Sequence, residues 1–146
     1  MIKETNYDTQ WFHYHNENPK NRRTGDCVIR SIALATGKSW EYTLEELTKF
    51  AKATYYSPGC PECYNRYLST LGWNKLNQPK KFDNTKYRGK EFIQLLNSKN
   101  YPINTKILVH TGWHHISCLV NSPTFKFWDI WDPSDEVIGN YWVLVE

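Results

Sequence analysis

Nowhere in the 146 residues does an apolar run approach the ~18 residues of a membrane span. The opening stretch, from Met1 to Lys20, lacks the apolar core of a secretory leader. The expectation is a cytoplasmic chain with no membrane partner. Internal repeats and low-complexity tracts are missing too. Charge of one sign is not in excess: 18 Lys and Arg stand against 15 Asp and Glu, a net +3. The one basic cluster, Lys20, Arg22 and Arg23, is short and reads as a solvated loop, so no nucleic-acid partner is expected. Cysteine is scarce. In a reducing compartment the four thiols, Cys27, Cys60, Cys63 and Cys118, read as catalytic, metal-binding or buried, not as a disulfide framework.

What is present suits one domain spanning residues 1–146. Hydrophobic residues make up 40% of the chain, enough for a single core. Aromatics reach 16%, with 7 Trp and 10 Tyr, and such rings either fill cores or line clefts. Residues 1–25 are polar and Asn-rich and read as an irregular arm. Helical spacing then predicts helices over 27–35, 39–52, 64–71 and 89–98. Asp26 is placed to cap the first and Gly37 to end it. After residue 100 the pattern turns to strands, at 107–109, 116–120, 125–131 and 141–145. Helices first and antiparallel strands last make an α+β fold, with N-terminal helices packed on a C-terminal sheet.

The chemistry gathers at three places. Gly25-Asp26-Cys27 sets a cysteine at the first turn of a buried helix. Unpaired backbone N–H groups and the helix dipole there favour a thiolate. Gly25 lets the backbone turn and leaves room for a substrate. His114 and His115 begin a strand, and Asp129 and Asp132 lie on the strand after it. A base on one strand and a carboxylate on its hairpin partner is the arrangement that orients an imidazole. If Ser122-Pro123 form a two-residue turn, His115 pairs with Ile130, Asp132 shares its face, and Asp129 points away. A slip of one residue reverses that assignment. Strand parity separates His114 from His115 without saying which of them meets Cys27.

The runs Gly25-Asp26-Cys27-Val28-Ile29-Arg30-Ser31-Ile32, His115-Ile116-Ser117 and Asp129-Ile130-Trp131-Asp132 resemble a group of small phage proteins patterned GDCVxRA…H…DxWD…YW. These in turn resemble papain-like peptidases, including bacteriocin-processing peptidases. The Gly-Asp-Cys run is also similar to ovarian-tumour-type deubiquitinases, whose late His pattern differs. The resemblance implies a papain-like fold, with Cys27 as nucleophile and His115 as base. It leaves the third member split. Asp129 matches the D-x-W element, reminiscent of the papain N-S-W element, while Asp132-Pro133 resembles the aspartate-proline of bacteriocin-processing peptidases and transglutaminases.

An oxyanion hole would combine the Cys27 amide with a side-chain amide upstream. Papain-like enzymes place a Gln six residues before the Cys. Here Asn21 holds that position, with Asn16 and Asn18 as alternatives. Trp113 and Trp131 are candidates for an aromatic wall of a substrate cleft, or for core. The expected function is a cysteine hydrolase, a peptidase or deconjugating amidase, acting on a protein or peptide substrate through a thioester. The alternatives are an inactive papain-like scaffold that sequesters a host factor in the host cytoplasm, and a transglutaminase-like acyltransferase. Neither a metal nor a cofactor is expected. The exception would be zinc, held by Cys60-Pro61-Glu62-Cys63 together with His13 and His15.

Overall fold

A computed structural model describes residues 7–145, so the first six residues of the expected arm lie outside it. Strand β1 (Phe12–Tyr14) is followed by helices α1 (Cys27–Thr36), α2 (Trp40–Thr54) and α3 (Pro61–Thr70). Strand β2 (Trp73–Leu76) and helix α4 (Gly89–Asn97) come next, then β3 (Lys106–Thr111), β4 (His115–Asn121), β5 (Phe125–Asp129) and β6 (Ile138–Leu144). The fold is α+β. Among the described residues no helix is long and apolar enough to cross a membrane.

The sheet corrects the expectation of a purely C-terminal, antiparallel one. It has six strands in the order β1-β5-β4-β3-β6-β2 and is mixed, because β1 lies parallel to β5. Both strands missed in the sequence are short edge strands. Two of the four β2 residues, Asn74 and Lys75, are polar and exposed. β1 hides its one fully buried ring, Phe12, in an otherwise polar arm.

The helices divide between the two faces. Val28 and Ile32 of α1, Leu47 of α2 and Tyr64, Tyr67 and Leu68 of α3 pack on Leu108, Ile116, Cys118, Val120 and Trp142 of the sheet. Phe92, Ile93 and Leu96 of α4 pack on the opposite face against Ile107, Val109, Leu119, Phe125 and Phe127. Alternation along β4 therefore sends Ile116, Cys118 and Val120 to one layer and Leu119 to the other. Cys118 is core, as expected.

Local chemistry accounts for the helix ends. Gly37 ends α1 with φ 72°, a left-handed conformation that glycine adopts at low cost. Ser39 caps α2, its hydroxyl accepting from the Tyr42 amide at 3.0 Å. Gly89 opens α4 where no side chain would fit, since a Cβ there would lie 2.7 Å from the Ser134 Cα. That contact seats α4 against the loop that follows β5. Asp26 stands at the N-cap of α1 but makes no capping bond, contrary to the sequence expectation.

Candidate active site

The β4–β5 hairpin decides which carboxylate faces His115. Asn121 pairs with Phe125 and Cys118 with Trp128, so the turn holds Ser122, Pro123 and Thr124. This is one residue more than the sequence reading assumed. The slip puts Asp129, not Asp132, on the face of His115. His115 Nε2 meets Asp129 Oδ2 at 2.6 Å. Asp132 instead uses Oδ1 to accept from the Ser134 amide at 2.9 Å, holding the loop after β5. The assignment of Asp132 to the site from register is thus corrected.

The last β4–β5 pair is Cys118–Trp128, and beyond it α1 bridges the two strands. Ser31 Oγ donates to the Ile116 carbonyl at 2.9 Å, and Arg30 Nη1 donates to Asp129 Oδ1 at 3.0 Å. These bonds bring Cys27, at the start of the helix, beside the end of β4. Its thiol lies near enough to His115 and to the Ile116 amide for both to favour the thiolate. With Nε2 engaged by Asp129, Nδ1 is the ring nitrogen left to face the thiol. His114 is exposed, its ring 5.7 Å from Trp113, and is not part of the group.

Asp129 is 2% exposed and is surrounded by donors. Oδ2 takes His115 and Ser117 Oγ (2.7 Å), while Oδ1 takes Arg30 and the Ile130 amide (2.7 Å). Burial alone would raise the Asp129 pKa. The His115 hydrogen bond and the charges of His115 and Arg30 overcome that and keep it below the usual carboxylate range. Burial would likewise lower the His115 pKa, but hydrogen bonds to Asp129 and Cys27 push it up to about 9. For Cys27, burial works against the thiolate. The His115 hydrogen bond, the Ile116 amide and the charges of His115 and Arg30 outweigh it and bring the thiol below its ordinary value. Cys27 and His115 thus each favour the charged form of the other.

Trp131 lies against His115, its ring 4.4 Å from the imidazole at a 40° tilt. It partly covers the imidazole and is itself half-buried. Trp113 is 86% exposed at the tip of the β3–β4 turn, so it is not core and remains open to a substrate.

Of the upstream asparagines, Asn16 and Asn18 spend their side-chain amides on other partners, while Asn21 stands exposed. Asn21 is exposed in a tight turn with φ 53°, its amide N–H donating to the Asn18 carbonyl. Asn18 is buried and spends its Nδ2 on Asp26 Oδ2, at 3.1 Å. Asn16 Nδ2 donates to the Arg22 carbonyl. Other donors are on hand. Arg30 N, bonded to the Asp26 carbonyl at 2.9 Å, starts the α1 ladder, which leaves the amides of Cys27, Val28 and Ile29 in an uncapped first turn.

The two halves of the zinc alternative are apart. His13 and His15 pair with Asp8 and Glu17 and pack on Trp128. Cys63 is buried with its thiol on the Leu47 carbonyl, and Cys60 is the N-cap of α3. Among the described residues no cluster of three or more His, Cys, Asp or Glu could hold a metal ion.

Sequence reasoning missed Arg30. Its signal is a charged residue within the buried run Val28-Ile29-Arg30-Ser31-Ile32-Ala33, one helical turn from Asp26. Comparison with protein-family models, with curated proteins and with solved structures finds no match for this chain.

Proposed function

We propose that this chain is a papain-like cysteine hydrolase, a peptidase or deconjugating amidase, working through Cys27, His115 and Asp129. One observation carries the reading. A thiol at the open N-terminus of a buried helix meets an imidazole whose far nitrogen is held by a buried carboxylate at 2.6 Å. A structural cysteine needs neither partner.

The reaction is acyl transfer. The Cys27 thiolate attacks an amide carbonyl carbon, forming a C–S bond and a tetrahedral oxyanion held by amides of the α1 first turn. As the C–N bond breaks, the His115 imidazolium gives its proton to the leaving amine. His115 then takes a proton from water, the hydroxide attacks the thioester, and the C–S bond breaks to return the thiolate. Asp129 keeps Nε2–H pointed away from the thiol throughout and balances the charge on the ring. Every step is completed by the chain, its substrate and water.

An asparagine, Asn21, where papain-like enzymes place a glutamine favours a second reading, a papain-like scaffold that binds a host protein without turnover. p-Nitrophenyl acetate separates the two. The hydrolase reading expects a burst of p-nitrophenolate equal to the protein concentration, an acetyl group on Cys27 by mass spectrometry, and no burst from Cys27→Ala. A folded wild-type protein that gives neither burst nor acetyl-Cys27 sinks it.

A further inference from the structure

Asp26 occupies the position where aspartate is among the strongest helix N-caps, yet its carboxylate is turned away from the helix. Oδ1 accepts from Arg30 Nε at 2.8 Å. Oδ2 accepts from Trp40 Nε1 at 3.0 Å and from Asn18 Nδ2 at 3.1 Å. Asp26 and Arg30 are 4% and 6% exposed, so these bonds form away from water. The other end of the same guanidinium holds Asp129 Oδ1 at 3.0 Å. One arginine therefore joins the residue before the nucleophile to the residue behind the base.

The geometry has a chemical consequence. A carboxylate capping α1 would fill the amides of the first turn and set a negative charge beside Cys27. Both effects oppose a thiolate and an oxyanion at that turn. Building on the hydrolase reading, we propose that Arg30 is a positioning residue. It draws the Asp26 carboxylate off the first turn of α1, which keeps those amides open for an anion. With its other nitrogen it fixes Asp129 so that Oδ2 meets His115. Arg30 touches no substrate and acts through the two aspartates. Its fork is suited to this, because a lysine ammonium cannot make the same planar bridge to two carboxylates.

The test follows iodoacetamide alkylation of Cys27 against pH in wild type, Arg30→Gln, Arg30→Lys and the double variant Arg30→Gln/Asp26→Asn, with folding checked by circular dichroism. In Arg30→Gln the Asp26 carboxylate loses the donor on Oδ1 while Trp40 and Asn18 still hold Oδ2, and the released Oδ1 is expected to turn toward the first turn. The Cys27 profile then moves to higher pH, and the rate at neutral pH drops about tenfold for each unit of movement. Neutralising residue 26 in the double variant moves the profile back toward wild type, whereas a mere loss of packing would worsen. Arg30→Lys falls between wild type and Arg30→Gln. It decides alone if the glutamine variant does not fold. A folded Arg30→Gln, or failing that Arg30→Lys, with the wild-type profile overturns the inference while leaving the hydrolase reading intact. A wild-type Cys27 that alkylates like an ordinary thiol removes the hydrolase reading itself.

Discussion

Ser117 and Asp129 face one another across the β4–β5 hairpin, and Ser117 Oγ donates to Asp129 Oδ2 at 2.7 Å. With a two-residue turn Ser117 would instead oppose Trp128, and Asp129 would point to the other layer. One added residue in the loop thus selects the carboxylate that His115 meets. It also explains why an acid, not an amide, occupies residue 129. All four of its partners, His115, Ser117, Arg30 and the Ile130 amide, are donors. An asparagine would direct its own NH2 at two of them.

Asp129→Asn is therefore expected to destabilise the fold by about 1–3 kcal/mol, the cost of leaving buried donors unpaired. Asp129→Ala leaves Arg30 short of one of its two charge partners and costs about 3–5 kcal/mol. Asp132→Asn, which keeps an acceptor for the Ser134 amide, should retain most activity. Urea denaturation and the p-nitrophenyl acetate burst together check the contrast. Loss of the burst in Asp132→Asn with retention in Asp129→Asn would reverse the assignment.

The pH dependence follows from the shifted groups. Turnover rises as Cys27 loses its proton below the ordinary thiol range and falls as His115 loses its proton at about 9. In Asp129→Asn the raising influence of the carboxylate is gone, so the alkaline limb moves down toward 6.5. His115 also contributes to stability. A folded pKa above the unfolded one gives a contribution complete below pH 6.5 and lost as pH rises through about 9, on the order of 3 kcal/mol. The difference in Tm between wild type and His115→Ala should shrink across that window. A difference that grows with pH contradicts the sign.

The two tryptophans should separate. Trp131→Ala uncovers the His115 ring and admits water to its bond with Asp129, so kcat falls about tenfold or more, the size expected when a base is poorly held. Trp113→Ala removes an exposed ring and leaves stability within about 0.5 kcal/mol. If Trp113 touches the substrate, KM rises while kcat holds. Steady-state kinetics on any accepted ester distinguish the two cases.

Asn21→Gly removes the amide that the sequence placed in the oxyanion hole while keeping the left-handed turn. The acylation rate should be unchanged. A loss of about 100-fold, the size seen when an oxyanion donor is removed, would restore Asn21 to the site.

Helices α1 and α2 were legible because each shows an apolar stripe with a readable end, Gly37 for α1 and Ser39 for α2, whereas α3 starts at Pro61, three residues before the expected Tyr64. Cys27 and His115 were legible from the runs around them. The rest depended on long-range geometry. The Asp129 assignment turned on the length of one hairpin loop, which composition does not fix. Edge strand β2 carries Asn74 and Lys75 and has no alternating pattern to betray it. Asp26 read locally as a helix cap, and Arg30 only as one position of a motif. Only their shared burial with Asp129, from a strand 99 residues along the chain, turns them into a bridge.

The central claim is a thiolate–imidazole pair at Cys27 and His115. The most direct test is iodoacetamide labelling of the native protein against pH, read by mass spectrometry for each cysteine. Half-exposed Cys60 serves as the internal reference, and buried Cys63 and Cys118 as protected thiols. The account predicts that Cys27 labels fast well below pH 8, ahead of Cys60, and that His115→Ala removes this lead. Labelling of Cys27 no faster than Cys60, or a lead unaffected by His115→Ala, would contradict it.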